Sequence, residues 1–522
     1  MASLSPKTGL LGNRLAAHLL RRTSYVYTKE RIDAFAQMTA NQAVTQLLQA
    51  SPPPILTGPP NVNKANNISW WMYEALNDPS INHRMAFFLH TLFVADFMAM
   101  QGFNLQHLRL LNLYATGNVQ EFAKKMSVDN RMVRYLDATF STVGNPNENY
   151  AREFLELFSI GKGPQLGPGD YTHYTETDVQ QAARIFTGFR TDSTMSNIDP
   201  DTGLPRANAI YADHDTGDKT FTGKFQNQVV TGAIDANDMY REVNEFVDMV
   251  FDQDETARYI CRKLYRYFVN ANITPEIEAD IIVPLGQTLK NANYELAAAL
   301  QQLLESSHFY DEDDSDSSDE IVGSIFRSPL ELVLQTLSFF KVPIPDPISE
   351  TNNHYKNFFQ NSVQNIMFKK AGFFPFEPSS VAGYQAYHQQ PDYYRNWLTA
   401  STMIARYKLP EMLLTGTRVL TNGGLGGVIL DPVSYVENPN HISDPENASV
   451  LVTELLTHLL PEFPSTERFD YFLSTVFLNG LSPLNWKFEW QAYQQSADPS
   501  DVNIPLSRLI TGIMHSPEYQ LM

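Results

Sequence analysis

The chain is short of several things, and each shortage excludes a class of function. It has one cysteine, Cys261, in 522 residues, which rules out an intramolecular disulfide, a Cys-x-x-Cys redox pair and any cysteine-based zinc site. A lone thiol tolerates reducing and oxidising surroundings alike, so it leaves the compartment open. Basic charge is in deficit, with 38 Lys and Arg against 58 Asp and Glu for a formal charge of −20. A field of that sign repels phosphate backbones and anionic lipid surfaces, and nucleic acid is not an expected partner. Long apolar runs are also missing. The longest, Met85 to Val94, is interrupted by His90 and falls well short of the roughly 20 residues of a spanning helix, so no membrane insertion is expected. Arg21-Arg22 is followed by TSYVYTKERID rather than an apolar stretch. That is neither a twin-arginine nor a secretory signal, and a cytoplasmic location is the expectation that follows.

Standard catalytic signatures are absent as well. There is no Gly-x-Ser-x-Gly elbow, Walker loop or His-Glu-x-x-His, and GGLGG at 423–427 lacks the dinucleotide spacing. No nucleotide cofactor is expected. None of the 12 histidines lies three or four residues from another, the spacing that lets two imidazoles share a metal on one helix face. His83 and His90 share a face, but seven residues is roughly 10 Å of rise, too far for one ion.

What is present is material for a large helical core: 43% hydrophobic and 12% aromatic residues, with 32 Phe and 25 Tyr. Helix starts are legible as capping boxes, a Ser, Thr, Asp or Asn followed three positions later by an acid. Asn145-Pro146-Asn147-Glu148 opens one helix toward Gly161-Lys162-Gly163, and Thr175 with Asp178 opens another ending near Gly188. Asp252 with Glu255 opens one to about Val269, and Ser328-Pro329-Leu330-Glu331 one through Phe340. The expected class is mainly α, a large multi-helix fold with a minor β-hairpin element around 204–232, where NAIYADHD and DKTFTGKF flank Thr216-Gly217. Seven acids fill residues 311–320; such a run cannot be buried without cations, so it reads as a surface loop. It divides a helical sub-core 1–310 from another, 321–522, unless one continuous domain spans 1–522. SPPPILTGPP near residue 51 and GTRVLTNGGLGG near 415 read as connecting loops.

Four groups of residues invite a functional reading beside a structural one. His90, inside a helix apolar nearly all round, is either a hydrogen-bonded core histidine or a site residue. Glu148, Arg152 and Glu156 at i, i+4 and i+8 form either a salt-bridged ladder or, with Arg184, an acid/base and anion-orienting set. Arg258, Arg262 and Arg266 repeat every fourth residue, and three cations on one face need anions opposite. Those are either internal carboxylates, such as the 311–320 loop, or an anionic ligand held by the arginine forks. Asp311, Asp313, Asp314, Asp316 and Asp319 are either a solvated loop or an irregular calcium site. The EF-hand pattern fails, with Asp316 where glycine is needed and Val322 where Glu is needed. Asp213, His214, Asp215 and Asp218 need no more than Asx-turn chemistry.

In this order, NPNENYAREFLELFSIGKG (145–163), YTETDVQQAARIFTGF (174–189), HDTGDKTFTG (214–223), ARYICRKLYRYFV (257–269), RSPLELV (327–333), FPFEPSSVAGY (374–384) and SPEYQ (516–520) resemble the bacterial domain-of-unknown-function family numbered eighteen hundred, over nearly the whole chain. The resemblance implies a helical fold along the chain and a genomic neighbour resembling exported phosphatases or sulfatases. It brings no reaction, and since many relatives carry export signals it leaves export possible. Relatives read Trp-His-Asn-His-Phe where this chain has Leu89 to Phe93, and carry a histidine where Phe158 stands here. Neither an obligatory transition metal nor haem is therefore expected. The leading expectation is a protein that acts by binding a partner encoded nearby; the alternative is a hydrolase with a pocket of Glu148, Arg152, Glu156, Arg184 and His90.

Overall fold

Helix starts are where the sequence acts most locally. In the computed structural model, which describes residues 2–49, 58, 64–97, 102–313, 320–415 and 429–522, two of the expected capping boxes form in full. Asp178 accepts from the Thr175 N–H at 2.8 Å while Asp178 N donates to Thr175 Oγ1 at 3.3 Å, opening the helix Glu176–Ile185. Glu331 accepts from the Ser328 N–H at 2.6 Å, with Pro329 at the first position of the helix Pro329–Phe339. These satisfy backbone donors that the first helical turn leaves unpaired.

The other two starts shift. Asn145 is taken up in a bridge with Thr142, so Asn147 becomes the cap of Glu148–Glu153, accepting from Asn149 N at 2.9 Å. Asp252 keeps helical dihedrals and donates its N–H to Asp248 at 2.8 Å. It therefore closes the helix Asp238–Phe251, and the next, Asp254–Phe268, begins without a side-chain cap.

The fold is mainly α, with three two-stranded antiparallel ribbons among the described residues. One, Lys219–Thr220 with Val229–Val230, is the hairpin expected within 204–232. The segments flanking Thr216-Gly217, however, do not pair with each other: Asn208–Ala209 reaches back to Phe189–Arg190. His214, between them, is buried and hydrogen-bonds through Nδ1 to the Thr187 carbonyl at 2.8 Å. That anchor pulls the connection inward and prevents a tight hairpin turn. The proline-rich segment near 51 and the glycine-rich segment near 415 lie, but for a few residues, outside the described residues.

One contiguous apolar cluster runs from Leu11 to Met522. Arg21 and Arg22 are fully buried within it. Arg21 donates to the carbonyls of His458 at 3.0 Å and Leu460 at 2.8 Å, and Arg22 to those of Val269 at 3.1 Å and Ile321 at 2.8 Å. Burial pulls Arg21 down to about 10 and Arg22 to about 9, so both remain cations at neutral pH. The arginine pair is thus a buried bolt joining distant parts of the chain. Among the described residues, no helix is long and apolar enough to cross a membrane.

Cys261 lies on the inner face of Asp254–Phe268, fully buried, and burial pushes its thiol well above the ordinary range. Thiolate is the reactive form. Alkylation of the native protein by iodoacetamide is therefore expected to be slower by orders of magnitude than that of the urea-unfolded chain, a difference read by thiol titration. Equal rates would contradict this burial.

Candidate functional site

The helix Glu148–Glu153 continues into a widened π-helical segment, Phe154–Ser159, where Ser159 Oγ donates to the Phe154 carbonyl at 2.6 Å. An extra residue per turn rotates everything beyond it relative to an α-helical ladder. Glu156 consequently leaves Arg152 and instead accepts from Tyr174 Oη at 3.1 Å, with Lys162 at 3.4 Å. Arg152 makes a two-pronged pair with Glu176, 2.7 Å on each arm, and a longer contact to Glu148 at 3.4 Å. These bonds hold Glu176 below the usual carboxylate range.

Arg184 makes a separate fork with Asp215, at 2.8 and 2.9 Å, which lowers the Asp215 pKa. Glu176 and Arg184 stand eight residues apart on one helix, roughly 12 Å of rise. Arg152 and Arg184 thus serve two different ion pairs. His90 is elsewhere, fully buried among Phe87, Phe97, Phe376 and Tyr384 at ring distances of 4.8–6.2 Å. Neither ring nitrogen bonds to a described residue, and burial, with His107 and Arg131 nearby, lowers its pKa well below the ordinary value. His90 is therefore a neutral imidazole in an aromatic cage. The structure does not bring Glu148, Arg152, Glu156, Arg184 and His90 together.

Of the acidic residues near 311, Asp311 accepts from the N–H groups of Ile321 at 2.5 Å and Val322 at 2.7 Å. Burial, followed by the neighbouring Glu320 carboxyl, pushes it up. Asp313 accepts from His308 Nδ1 at 2.8 Å and Ser3 N at 3.0 Å. Asp314, Asp316 and Asp319 lie outside the described residues. Among the described residues, no group of three or more His, Cys, Asp and Glu side chains is placed to hold a metal ion.

The arginine stripe on Asp254–Phe268 has three fates. Arg258 lies where the helix Val283–Asn291 crosses at Gly286; a Cβ there would stand 3.2 Å from Arg258 Cγ. Arg262 is neutralised by Glu278, forked at 2.7 and 2.8 Å, and by Glu255 at 2.6 Å. Among the described residues, the carboxylates that pair with the stripe are these two. Arg266 alone of the three opens onto a cavity, a cleft of about 560 Å³.

Three stretches build this cleft: the C-terminal turn of Asp254–Phe268 with Asn270 and Asn272, the Ser324–Phe326 strand-like run, and the segment Gln390–Arg395. Arg266 lies over the Tyr393 ring at 5.6 Å, its Nε buried without a hydrogen-bond partner. Arg395 stands exposed on the opposite wall. Ser324 is backed by the buried Arg22, whose Nη2 donates to its Oγ at 3.3 Å, and Tyr394 contributes a buried, unpartnered hydroxyl. A smaller recess shares Arg266 and adds Lys263, Tyr387 and His388. Lys263 is half-buried with its ammonium 5.1 Å from the Tyr259 ring centre; burial, then the neighbouring Arg266, pushes it down to about 8. His388 is lowered by burial and by Lys263, and its Nε2, like Tyr387 Oη, has no hydrogen-bond partner.

Arg266, Arg395 and Lys263 form no ion pair with any described carboxylate. The one acid on the lining, Asp392, is exposed. In a chain with twenty surplus acids, leaving Arg266 and Arg395 unpaired on one cavity, with Lys263 in the recess that shares Arg266, concentrates positive potential there, and a low-dielectric wall strengthens it. Guanidinium forks in such an arrangement match the geometry of an oxyanion. Arg266 was visible in the every-fourth-residue pattern. Lys263, His388 and Arg395 were not, although Lys263 stands three residues before Arg266 and so on the same helix side; the other two come from a segment more than a hundred residues away.

The model of a protein family described as a protein of unknown function, DUF1800, matches residues 18–521. No curated protein and no solved structure matches the chain.

Proposed function

Because this chain belongs to the DUF1800 family of proteins of unknown function, we propose from its geometry that it is a binding protein whose cleft at Arg266 takes the carboxylate, phosphate or sulfate group of an anionic ligand. The observation that carries this reading is that Arg266 and Arg395 stand unpaired on one cavity, with Lys263 in the recess that shares Arg266, in a strongly acidic chain. A nearby-encoded partner of phosphatase- or sulfatase-like kind, the class that the resemblance brings with it, would act on the same anionic ester chemistry. In that form partner binding belongs to the proposal. A hydrolase using Glu148, Arg152, Glu156, Arg184 and His90 would need all five to converge; Glu148, Arg152 and Glu156 neighbour one another through Glu176, Tyr174 and Lys162, while Arg184 pairs with Asp215 and His90 sits in its aromatic cage.

Isothermal titration with sulfate tests the reading, since sulfate keeps its charge across the neutral range. Saturable binding is expected, and Arg266→Met should weaken it about 10- to 100-fold, the worth of a charge-assisted hydrogen-bonded contact of ~1.5–3 kcal/mol. The pH dependence has a definite sign. Lys263 is a cation below about 8 and neutral above it, so affinity should fall as pH rises through that value, and Lys263→Met should flatten the profile. Absence of saturable heat, or binding indifferent to Arg266→Met, would overturn the proposal.

A further inference from the structure

The helix Pro483–Ser496 carries two apolar stripes. Trp486, Trp490 and Tyr493, at i, i+4 and i+7, turn inward; Trp486 is 3% exposed and Trp490 0%, and Trp486 Nε1 donates to the Pro445 carbonyl at 2.8 Å. Leu484 and Phe488, again at i and i+4, turn the other way and are 61% and 63% exposed. A surface helix needs one apolar face to stay on its protein, and a second leaves large side chains in water for no gain in folding. Leu481, at 60%, and Ile504 of the adjoining helix Ser500–Met514, at 64%, are exposed as well, and these two, unlike Leu484 and Phe488, face the space between the helices. Between the two helices lies a groove of about 240 Å³ whose floor includes Phe477 and Pro505.

Charge at the groove is one-sided. Glu489 and Asp501 line it, both exposed and without an ion pair. Arg508, the basic residue on the lining, is spent on backbone: its Nε and Nη2 donate to the carbonyls of Val476 and Phe477, each at 2.5 Å. Lys487 on the neighbouring face is engaged with Glu446 at 3.6 Å. An apolar floor with an acidic rim suits an occupant that is apolar on one side and basic at its edges. A second copy of this chain fits poorly, because a two-fold pairing would set Glu489 and Asp501 against their own like charges.

We propose that this groove docks an amphipathic helix of a partner protein, with leucine- or phenylalanine-like anchors at helical spacing flanked by Lys or Arg. The site is independent of the Arg266 cleft and uses the opposite charge preference. Its exposed anchors on this chain are Leu481 and Ile504, with Glu489 and Asp501 supplying selectivity.

The test uses the full chain and two synthetic helical peptides of equal length, one of leucine and lysine, the other of leucine and glutamate, each followed by fluorescence anisotropy. The lysine peptide should bind and the glutamate peptide should not. Leu481→Ser with Ile504→Ser should weaken binding at least ~10-fold, as loss of buried anchors does. Glu489→Lys with Asp501→Lys should reverse the preference between peptides. All four positions are exposed, so an unchanged thermal midpoint is expected to accompany each variant. Failure of the lysine peptide to bind, equal binding of both, or binding indifferent to Leu481→Ser with Ile504→Ser would overturn the proposal. So would a wild-type dimer in sedimentation that the serine variant converts to monomer, which would make the occupant a second copy.

Discussion

Replacing Glu331 with leucine is expected to destabilise the protein by about 3–5 kcal/mol, measured by urea denaturation, because it strands a buried cation. Arg84 and Glu331 are each 1% exposed. Arg84 donates to Glu331 through Nη1 and to the Arg22 carbonyl through Nε at 3.1 Å, and its guanidinium lies 5.2 Å from the Tyr25 ring centre and 5.0 Å from that of Tyr267. Glu331 also closes the capping box of Pro329–Phe339 through the Ser328 N–H, so leucine removes that reach-back bond as well, while the Ser328 cap remains. The double variant Arg84→Met, Glu331→Leu separates the two costs. With both charges gone it should recover most of the loss, since replacing a buried pair by apolar groups is often close to neutral. A single variant as stable as wild type would show that Arg84 finds solvent, contrary to its burial.

The second large effect concerns the region once read as simple turn chemistry. Lys219, Glu242 and His214 have fully buried side chains, each 0% exposed. Glu242 accepts from Lys219 Nζ at 2.6 Å and from the Ala233 N–H, and His214 Nε2 lies 3.3 Å from it. Glu242→Ala leaves Lys219 as a buried cation without its counter-charge, and a loss of about 3–5 kcal/mol is expected at neutral pH. The pH dependence follows from linkage. Burial already lowers the Lys219 pKa, with Glu242 opposing it, and deletion of Glu242 lowers it further. Between that folded value and about 10.4 in the unfolded chain, the unfolded state binds more protons. Stability of the variant therefore rises with pH across that window, and its deficit against wild type shrinks. A deficit that grew as pH rose would show that Lys219 is not the stranded group.

Both predictions rest on contacts that no local pattern contains. Glu331 was legible as the third residue of a capping box, and it does cap, but its partner Arg84 comes from a helix nearly 250 residues earlier. Lys219 and Glu242 drew no notice because each lies in an ordinary polar stretch. Arg152 shows how a correct local reading can mislead: Glu148, Arg152 and Glu156 are spaced for one α-helical face, yet the π-helical turn at Phe154–Ser159 breaks the ladder and Glu176 takes the arginine. That turn is held in part by Gly161, whose φ of 74° ends the helix and whose missing Cβ admits the Tyr259 ring; a Cβ there would stand 2.7 Å from Tyr259 Cδ2. Tyr259 Oη then donates to the Leu157 carbonyl at 2.8 Å.

The amino-acid sequence alone determined that this protein is mainly α, where two of its helices begin, that it has no membrane-spanning helix among the described residues, and which family it belongs to. These follow from periodicity, capping and motif order, all of which act over a few residues at a time. Which charged groups neutralise one another, and which remain to face a cleft, was decided only by tertiary structure. Arg262 and Arg266 are chemically alike and four residues apart, but one meets Glu255 and Glu278 while the other opens onto the cavity with Arg395. Electrostatic pairing depends on distance in space and on burial, and the packing of remote helices sets both.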